Sequence, residues 1–251
     1  MNMDPLYIIL SVPALLLSMI FSAKVKSTFA KYAKVAASCG MNGAEAAATM
    51  LARAGVNDVM IRKTAGVLTD HYNPADNTLN LSADVYEGRS LASLGVACHE
   101  AGHALQKATG YKWMGVRSAL VPAANLGSKF SYVVFAIGLM MVAATPADPA
   151  AGAAVATTGQ AGLGWLLVKA GIVLFTGAVA FSIVTLPVEW DASARAKRQL
   201  VACGLLSPDE EKGAAAVLNA AFMTYIAAAV SSLMTLLYFL LRSGLLGGRR
   251  R

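Results

Sequence analysis

The chain has 251 residues, of which 57% are hydrophobic and only 14% charged, whereas about 25% are charged in an ordinary soluble domain. Long uncharged runs alternate with one polar stretch, as in a membrane protein with a modest extramembrane part. The net charge of +7 does not indicate nucleic-acid binding, because the basic residues flank apolar runs without interleaved aromatic residues. The three cysteines form no CxxC pair, which argues against a disulfide framework and against a thiolate zinc site.

Four apolar segments are each long enough to cross ~30 Å of hydrocarbon as a helix. They cover residues 6–23, 118–144, 162–187 and 214–241. The first has an acidic N-terminal flank, so it predicts a retained anchor and not a cleaved signal. These segments predict a mainly α-helical, polytopic membrane protein with about four transmembrane helices.

The polar stretch between the first two apolar segments carries mixed helix and strand signals. Its predicted elements are, in order, a helix N-capped by Asn42 and ended by Gly55, strand content at 59–68, a turn at 73–77, a strand at 78–81, and a helix capped by Ser82 or Ser90. Together they predict a small α+β domain with a short strand or hairpin. Because the strand at 78–81, which contains Asn80, precedes the last of these helices, it is a candidate edge strand for pairing with an extended substrate.

The same signals divide the chain into five segments. They are an N-terminal anchor (1–23), the polar α+β domain (24–117), two transmembrane helices with a polar-poor loop at about 145–160 (118–188), a further helix (189–213), and a last transmembrane helix with a basic tail (214–251).

Lysine and arginine counts predict which side of the membrane each segment faces. Residues 24–117 hold eleven, residues 190–213 hold four, and the loop at 144–160 holds none. By the positive-inside tendency the first two regions are cytoplasmic and the loop is outside. The basic tail at 247–251 conflicts with a fourth segment that spans once, so a re-entrant or interfacial segment stays an alternative.

The pattern His99-Glu100-Ala101-Gly102-His103 carries the chemistry. Residues four apart share one face of a helix, so His99 and His103 can bind one metal ion, and two imidazoles suit zinc. Glu100 can lean toward the open coordination position and act as general base and acid on a water nucleophile. Small residues at positions 101 and 102 allow a close neighbour. The pattern predicts a one-zinc catalytic site.

A catalytic zinc site needs a third protein ligand, and three residues are candidates. Glu189 is favoured, because it directly follows the third apolar segment and the charge pattern places it on the same side as the two histidines. Asp191 is the runner-up, or a partner that orients a histidine. His71, in a turn-rich stretch, is an alternative ligand or a residue near the substrate cleft.

The chain resembles the YugP-like bacterial neutral zinc metallopeptidases, which are integral membrane proteins placed with the gluzincins. The specific blocks are GVACHEAGHALQ at 95–106 and LPVEWDAS at 186–193. Supporting matches lie at 71–74, 81–82, 85–90, 195–196, 218–221 and 224–225.

The resemblance implies zinc, proteolysis, a membrane location, a zincin-like catalytic domain and Glu189 as the third ligand. Related membrane proteases of the HtpX and CAAX-processing type have an aspartate where this chain has Ser193, so the carboxylate that orients a histidine is expected to be missing or supplied by Asp191. Tyr225, in the matching block at 224–225, is a candidate donor to the tetrahedral oxyanion; an interfacial tyrosine is the alternative.

The sequence therefore predicts a membrane-integral zinc metalloendopeptidase in the bacterial inner membrane, with its active site facing the cytoplasm. Its expected partners are a protein or peptide substrate and the lipid bilayer, with no nucleic acid. One alternative is a non-proteolytic membrane protein with a structural zinc, acting as a scaffold or chaperone-like partner. A channel or transporter is disfavoured, because the spans hold few ionisable residues and no repeated broken-helix pattern.

Overall fold

The structure, a computed structural model, describes residues 4–145 and 160–246. The predicted loop, apart from its ends, and the basic tail lie outside the described residues. The elements are α1 (Pro5–Tyr32), α2 (Gly43–Arg53), β1 (Met60–Thr64), β2 (His71–Asn73), β3 (Thr78–Ser82), α3 (Ala83–Tyr86), α4 (Leu91–Ala108), α5 (Lys112–Ala143), α6 (Gln160–Ala202) and α7 (Pro208–Arg242).

Among the described residues, four helices, α1, α5, α6 and α7, are long and apolar enough to cross a membrane, which confirms the predicted fold class. They have 28, 32, 43 and 35 residues, whereas about 20 suffice for a span. Each extends beyond its apolar segment. The third apolar segment and the segment carrying Glu189 form one helix, α6, which continues through Pro187.

The described chain separates into two compact units. The bundle unit contains Met1–Leu16, Ser118–Ile183 and Ala228–Arg251. Its core is aromatic: Phe135 stacks on Phe239 with ring centroids 4.1 Å apart. Helices α5 and α6 lie close, because a Cβ added at Gly171 would lie 2.9 Å from the backbone nitrogen of Phe135. Apolar packing and close backbone approach thus hold this unit together.

The site unit contains Leu17–Arg117 and Val184–Ala227. Its sheet has the strand order β1-β3-β2, with β1 parallel and β2 antiparallel to β3. The expectation that 78–81 forms an edge strand is therefore wrong, because β3 is paired on both sides. Its polar ends are also buried and bonded: Thr78 donates to Asp76, and the backbone N–H and hydroxyl of Ser82 donate to Asp70. Polar and apolar residues do alternate along β3, but the side chains on both of its faces are covered.

The structure has the predicted helix caps in this unit. Asn42 and Glu45 form a reciprocal capping box at the start of α2. Ser90, rather than Ser82, caps the motif helix α4 by accepting the N–H of Ser93. Cys98, on the buried face of α4, is fully enclosed, and this burial raises the pKa of its thiol. It therefore packs as an inert filler of the core.

Candidate metal centre

Helix α4 brings His99 and His103 together, as the four-residue spacing predicted. The two imidazole rings lie edge to face with centroids 4.9 Å apart. His103 is buried, and the side chain of His99 retains 12% of its exposure. Both rings therefore face the interior of the site unit on one side of α4.

Glu189 reaches the histidines because α6 crosses α4 at a glycine. A Cβ added at Gly102 would lie 2.7 Å from the carbonyl oxygen of Ala192, so any larger residue at position 102 would push α6 away. The close neighbour predicted from the small residues of the motif is thus α6 itself. One turn before Ala192 on this helix, Glu189 is buried against both imidazoles.

The three side chains fit a zinc ion. Oε2 of Glu189 lies 3.2 Å from Nε2 of His99 and 3.4 Å from Nε2 of His103. Two ligands at about 2.0–2.1 Å from a tetrahedral zinc lie about 3.3–3.4 Å apart, so these spacings match. Within residues 4–145 and 160–246, no other group of three or more His, Cys, Asp or Glu side chains converges in this way.

The remaining nitrogen of each imidazole is held by a neutral side chain. Nδ1 of His99 lies 3.1 Å from the hydroxyl of Ser193, and Nδ1 of His103 lies 2.9 Å from Oε1 of Gln106. With Nδ1–H donating to these oxygens, Nε2 of each ring presents its lone pair to the metal. The expected gap at Ser193 is therefore filled by the serine hydroxyl itself.

Asp191 bonds to neither histidine directly, but to Gln106, which in turn bonds to His103. The Gln106 amide donates to Oδ2 of Asp191 at 2.9 Å and to the Val188 carbonyl at 2.7 Å. Arg195 also donates to Oδ2 of Asp191, at 2.6 Å. Gln106 was not singled out from the sequence, although its position three residues after His103 places both on one helix face.

Replacing Gln106 by Met is expected to weaken zinc binding about 10- to 100-fold, since partners that orient a ligating histidine carry that much affinity. Methionine keeps the length of the side chain, but its thioether is only a weak acceptor for the Nδ1–H of His103. The affinity is measured by competition with a chromogenic chelator. Gln199→Met on α6, where Gln199 bonds to Cys203 and not to the site, is the matched control and should bind zinc as wild type does.

Arg117 is a second residue that the sequence did not reveal. Its guanidinium lies 3.7 Å from Oε1 of Glu189, on the oxygen that does not face the histidines. This placement restrains the carboxylate, so that Oε2 is the oxygen presented between the rings. Burial lowers the pKa of His103, but the hydrogen bond and negative charge of Glu189 outweigh it, so the net pKa of this imidazole is raised.

Glu100 is not one of the three converging ligands, and it is held by strand β2. Its Oε2 accepts the backbone N–H of Tyr72 at 3.0 Å. His71, the neighbouring residue, is exposed, and its Nδ1 lies 2.8 Å from the Thr69 carbonyl oxygen. The alternative ligand His71 is therefore not brought to the cluster, whereas its strand orients the candidate general base.

Tyr225 joins this site, and Asn80 does not. Tyr225 lines a cavity of about 360 Å³ together with His99 and Glu100. Its hydroxyl also lies near the charged groups of Glu189 and Arg117. Asn80 instead donates its amide to the hydroxyl of Thr78 on the same strand and is absent from the cavity wall.

Comparison with known proteins agrees with this chemistry. A family model described as "Putative neutral zinc metallopeptidase" matches residues 7–244. The chain is also 40% identical, over 236 residues, to the "Putative membrane protease YugP" of Bacillus subtilis (strain 168). The aligned residues cover 94% of this chain and 96% of that protein. No solved structure matches the chain. These matches confirm the resemblance seen in the motifs: the chain belongs to the neutral zinc metallopeptidase family.

Proposed function

We propose that this protein is a membrane-integral zinc metalloendopeptidase that hydrolyses peptide bonds in membrane or membrane-proximal proteins. The observation that carries the proposal is the convergence of His99, His103 and Glu189 beside a cavity that also exposes Glu100. Two imidazoles and a carboxylate are a ligand set of catalytic zinc in peptidases. The protein's own residues thus supply a metal site, a general base and space for a substrate.

Each residue has a separate part in the proposed reaction. The two histidines and Glu189 would hold a zinc ion, which would supply Lewis-acid activation of water and of the scissile carbonyl. Glu100 takes a proton from the water nucleophile and later donates one to the leaving amine. The Tyr72 N–H keeps the Glu100 carboxylate oriented for both transfers. Ser193 and Gln106 fix the tautomers of the histidines.

The number of ligands favours an enzyme over a protein with a structural zinc. Structural sites are closed by four protein ligands, whereas catalytic sites keep one position for water or substrate. Three ligands converge among the described residues, and the exposed His71 does not complete the set. His99 and Glu100 line the cavity, so a water molecule or a substrate has room beside them.

Metal removal and restoration test the proposal. The full chain, purified in detergent, is expected to contain about one zinc per molecule. It should cleave a casein-like or membrane-protein substrate, lose this activity after treatment with 1,10-phenanthroline, and regain it when zinc is added back. A protein that binds one zinc but cleaves none of several substrates above the level of its chelated form would contradict the proposal.

Tyr225 is proposed as the hydroxyl donor to the tetrahedral oxyanion, because it faces the same cavity as Glu100. Tyr225→Phe is expected to lower kcat about 10²- to 10³-fold with zinc content unchanged, which is the usual cost of one lost oxyanion donor. Steady-state kinetics and metal analysis measure the two quantities. Tyr238→Phe, on the same helix but bonded to Asp4 in the bundle unit, is the matched control. Unchanged turnover in Tyr225→Phe would end this assignment.

We further propose that the protein lies in the bacterial cell membrane with its site facing the cytoplasm. The eleven basic residues at 24–117 and four at 190–213 support this orientation, since cytoplasmic segments near spans carry the excess of lysine and arginine. Residues 24–117 and 189–213 supply the three metal ligands and Glu100, and the apolar helices supply the anchor. The orientation is checked by labelling single cysteines placed in these segments.

A further inference from the structure

The surface of the cavity beside the metal centre is mostly apolar. The cavity volume of about 360 Å³ lies entirely within the site unit. Ligand sites range over about 300–1,000 Å³, so this cavity is near the lower limit and suits one or two side chains of a peptide. Away from the catalytic groups, the apolar wall is formed by Val25, Phe29, Leu68, Val96, Val217 and Leu218.

The contents of this cavity lie next to the reacting groups. His99, Glu100 and Tyr225 belong to the same wall as the apolar side chains. A substrate residue that enters the cavity therefore lies next to the peptide bond that the water nucleophile attacks with Glu100 as its general base. Contacts at this position act directly on the choice of the cleaved bond.

The loop between β1 and β2 directs an apolar residue into this wall. Leu68 has φ +56° and Gly66 has φ +101°, both in the left-handed region. This conformation is unfavourable for leucine, and backbone strain of this kind clusters at ligand-binding segments. Leu68 also remains 38% exposed although it lines the cavity. The loop thus holds an uncovered apolar side chain at the site.

The two charged side chains of the wall other than Glu100 leave the interior apolar. The carboxylate of Asp70 is already occupied by the backbone N–H and hydroxyl of Ser82, at 2.8 and 3.0 Å. Lys26, on α1, is exposed to solvent, where its ammonium stays hydrated. A charged substrate residue would lose its hydration in this cavity without a matching gain.

We propose that this cavity is the principal specificity pocket of the peptidase, and that it takes one large apolar side chain, of the leucine or phenylalanine type, next to the scissile bond. This inference rests on the proposed peptidase function. Burial of such a side chain favours it over alanine by about 10- to 100-fold in kcat/KM, the usual range for a hydrophobic pocket.

Matched quenched peptides test the pocket. They differ only in one residue beside the scissile bond, which is Leu, Phe, Ala, Lys or Asp. The wild-type protein should cleave the Leu and Phe peptides at least about 10-fold more efficiently than the others. Ala221→Phe, which fills the pocket from α7, should lower the efficiency with the Leu and Phe peptides to that with the Ala peptide. Met223→Phe places the same side chain on the exposed face of α7 and should keep the preference.

A binding measurement separates the pocket from the catalytic proposal. Fluorescence anisotropy of the same peptides on Glu100→Gln should show the same order of affinity, and this order should disappear in Glu100→Gln combined with Ala221→Phe. If the wild type cleaves nothing but the binding order holds, the peptidase proposal fails and the pocket stands. Equal binding and cleavage of all peptides, or a preference for Asp through Lys26, would overturn the pocket. Ala221→Leu, checked by thermal melting, replaces Ala221→Phe should the latter not fold.

Discussion

Glu100→Gln is expected to retain zinc and to lose about 10²- to 10⁴-fold in kcat, the usual contribution of a positioned general acid and base. Glutamine keeps the size of the side chain and the oxygen that accepts the Tyr72 N–H, so the wall of the cavity stays in place. It cannot take the proton of the water nucleophile. Because Glu100 is outside the cluster of converging ligands, its loss should leave the metal bound.

Metal analysis and single-turnover kinetics measure the two effects separately. Glu87→Gln is the matched control, because Glu87 pairs with Lys63 away from the site and its loss should change neither quantity. A Glu100→Gln protein that cleaves as fast as wild type would show that another group moves the proton. A variant without zinc would show instead that Glu100 belongs to the ligand set.

The local elements of the site could be predicted from the sequence, since their signals lie within a few residues. The Asn42 capping box, the Ser90 cap and the face shared by His99 and His103 depend on spacings of three or four residues. The four long helices were equally visible, because a span needs only a long apolar run. Glu189 was favoured by its place after such a run and by the family resemblance.

The contacts that α6 makes with the ligands' supporting groups could not be predicted, because they join residues distant in the chain. Ser193 meets His99 across 94 residues, and Asp191 meets Gln106 across 85. The orienting carboxylate was expected to be missing at Ser193 or supplied by Asp191, but the serine hydroxyl suffices to fix one ring nitrogen. The place of β3 in the sheet was also hidden, since alternation within a strand does not specify its neighbours.

Glu189→Gln is expected to reduce zinc affinity more than about 100-fold, that is, beyond the range for partners that only orient a ligand. The loss would not come from a protonated His103. Glu189 raises the pKa of that imidazole and burial lowers it, so without the carboxylate the ring stays neutral to a lower pH than in wild type. A neutral ring is the form that binds metal, and the missing negative ligand is then the cause.

Asp191→Asn decides between the two acids of this segment. Asp191 reaches the metal ligands only through the Gln106 amide, so its variant should lose about 10- to 100-fold in zinc affinity at most. Both variants are titrated against the same chelator at the same pH, with circular dichroism as the check on folding. Should Asp191→Asn lose the metal and Glu189→Gln keep it, α6 would have to turn about its axis in the metal-bound protein. The buried position of Glu189 between the two imidazoles and Arg117 argues against that rotation.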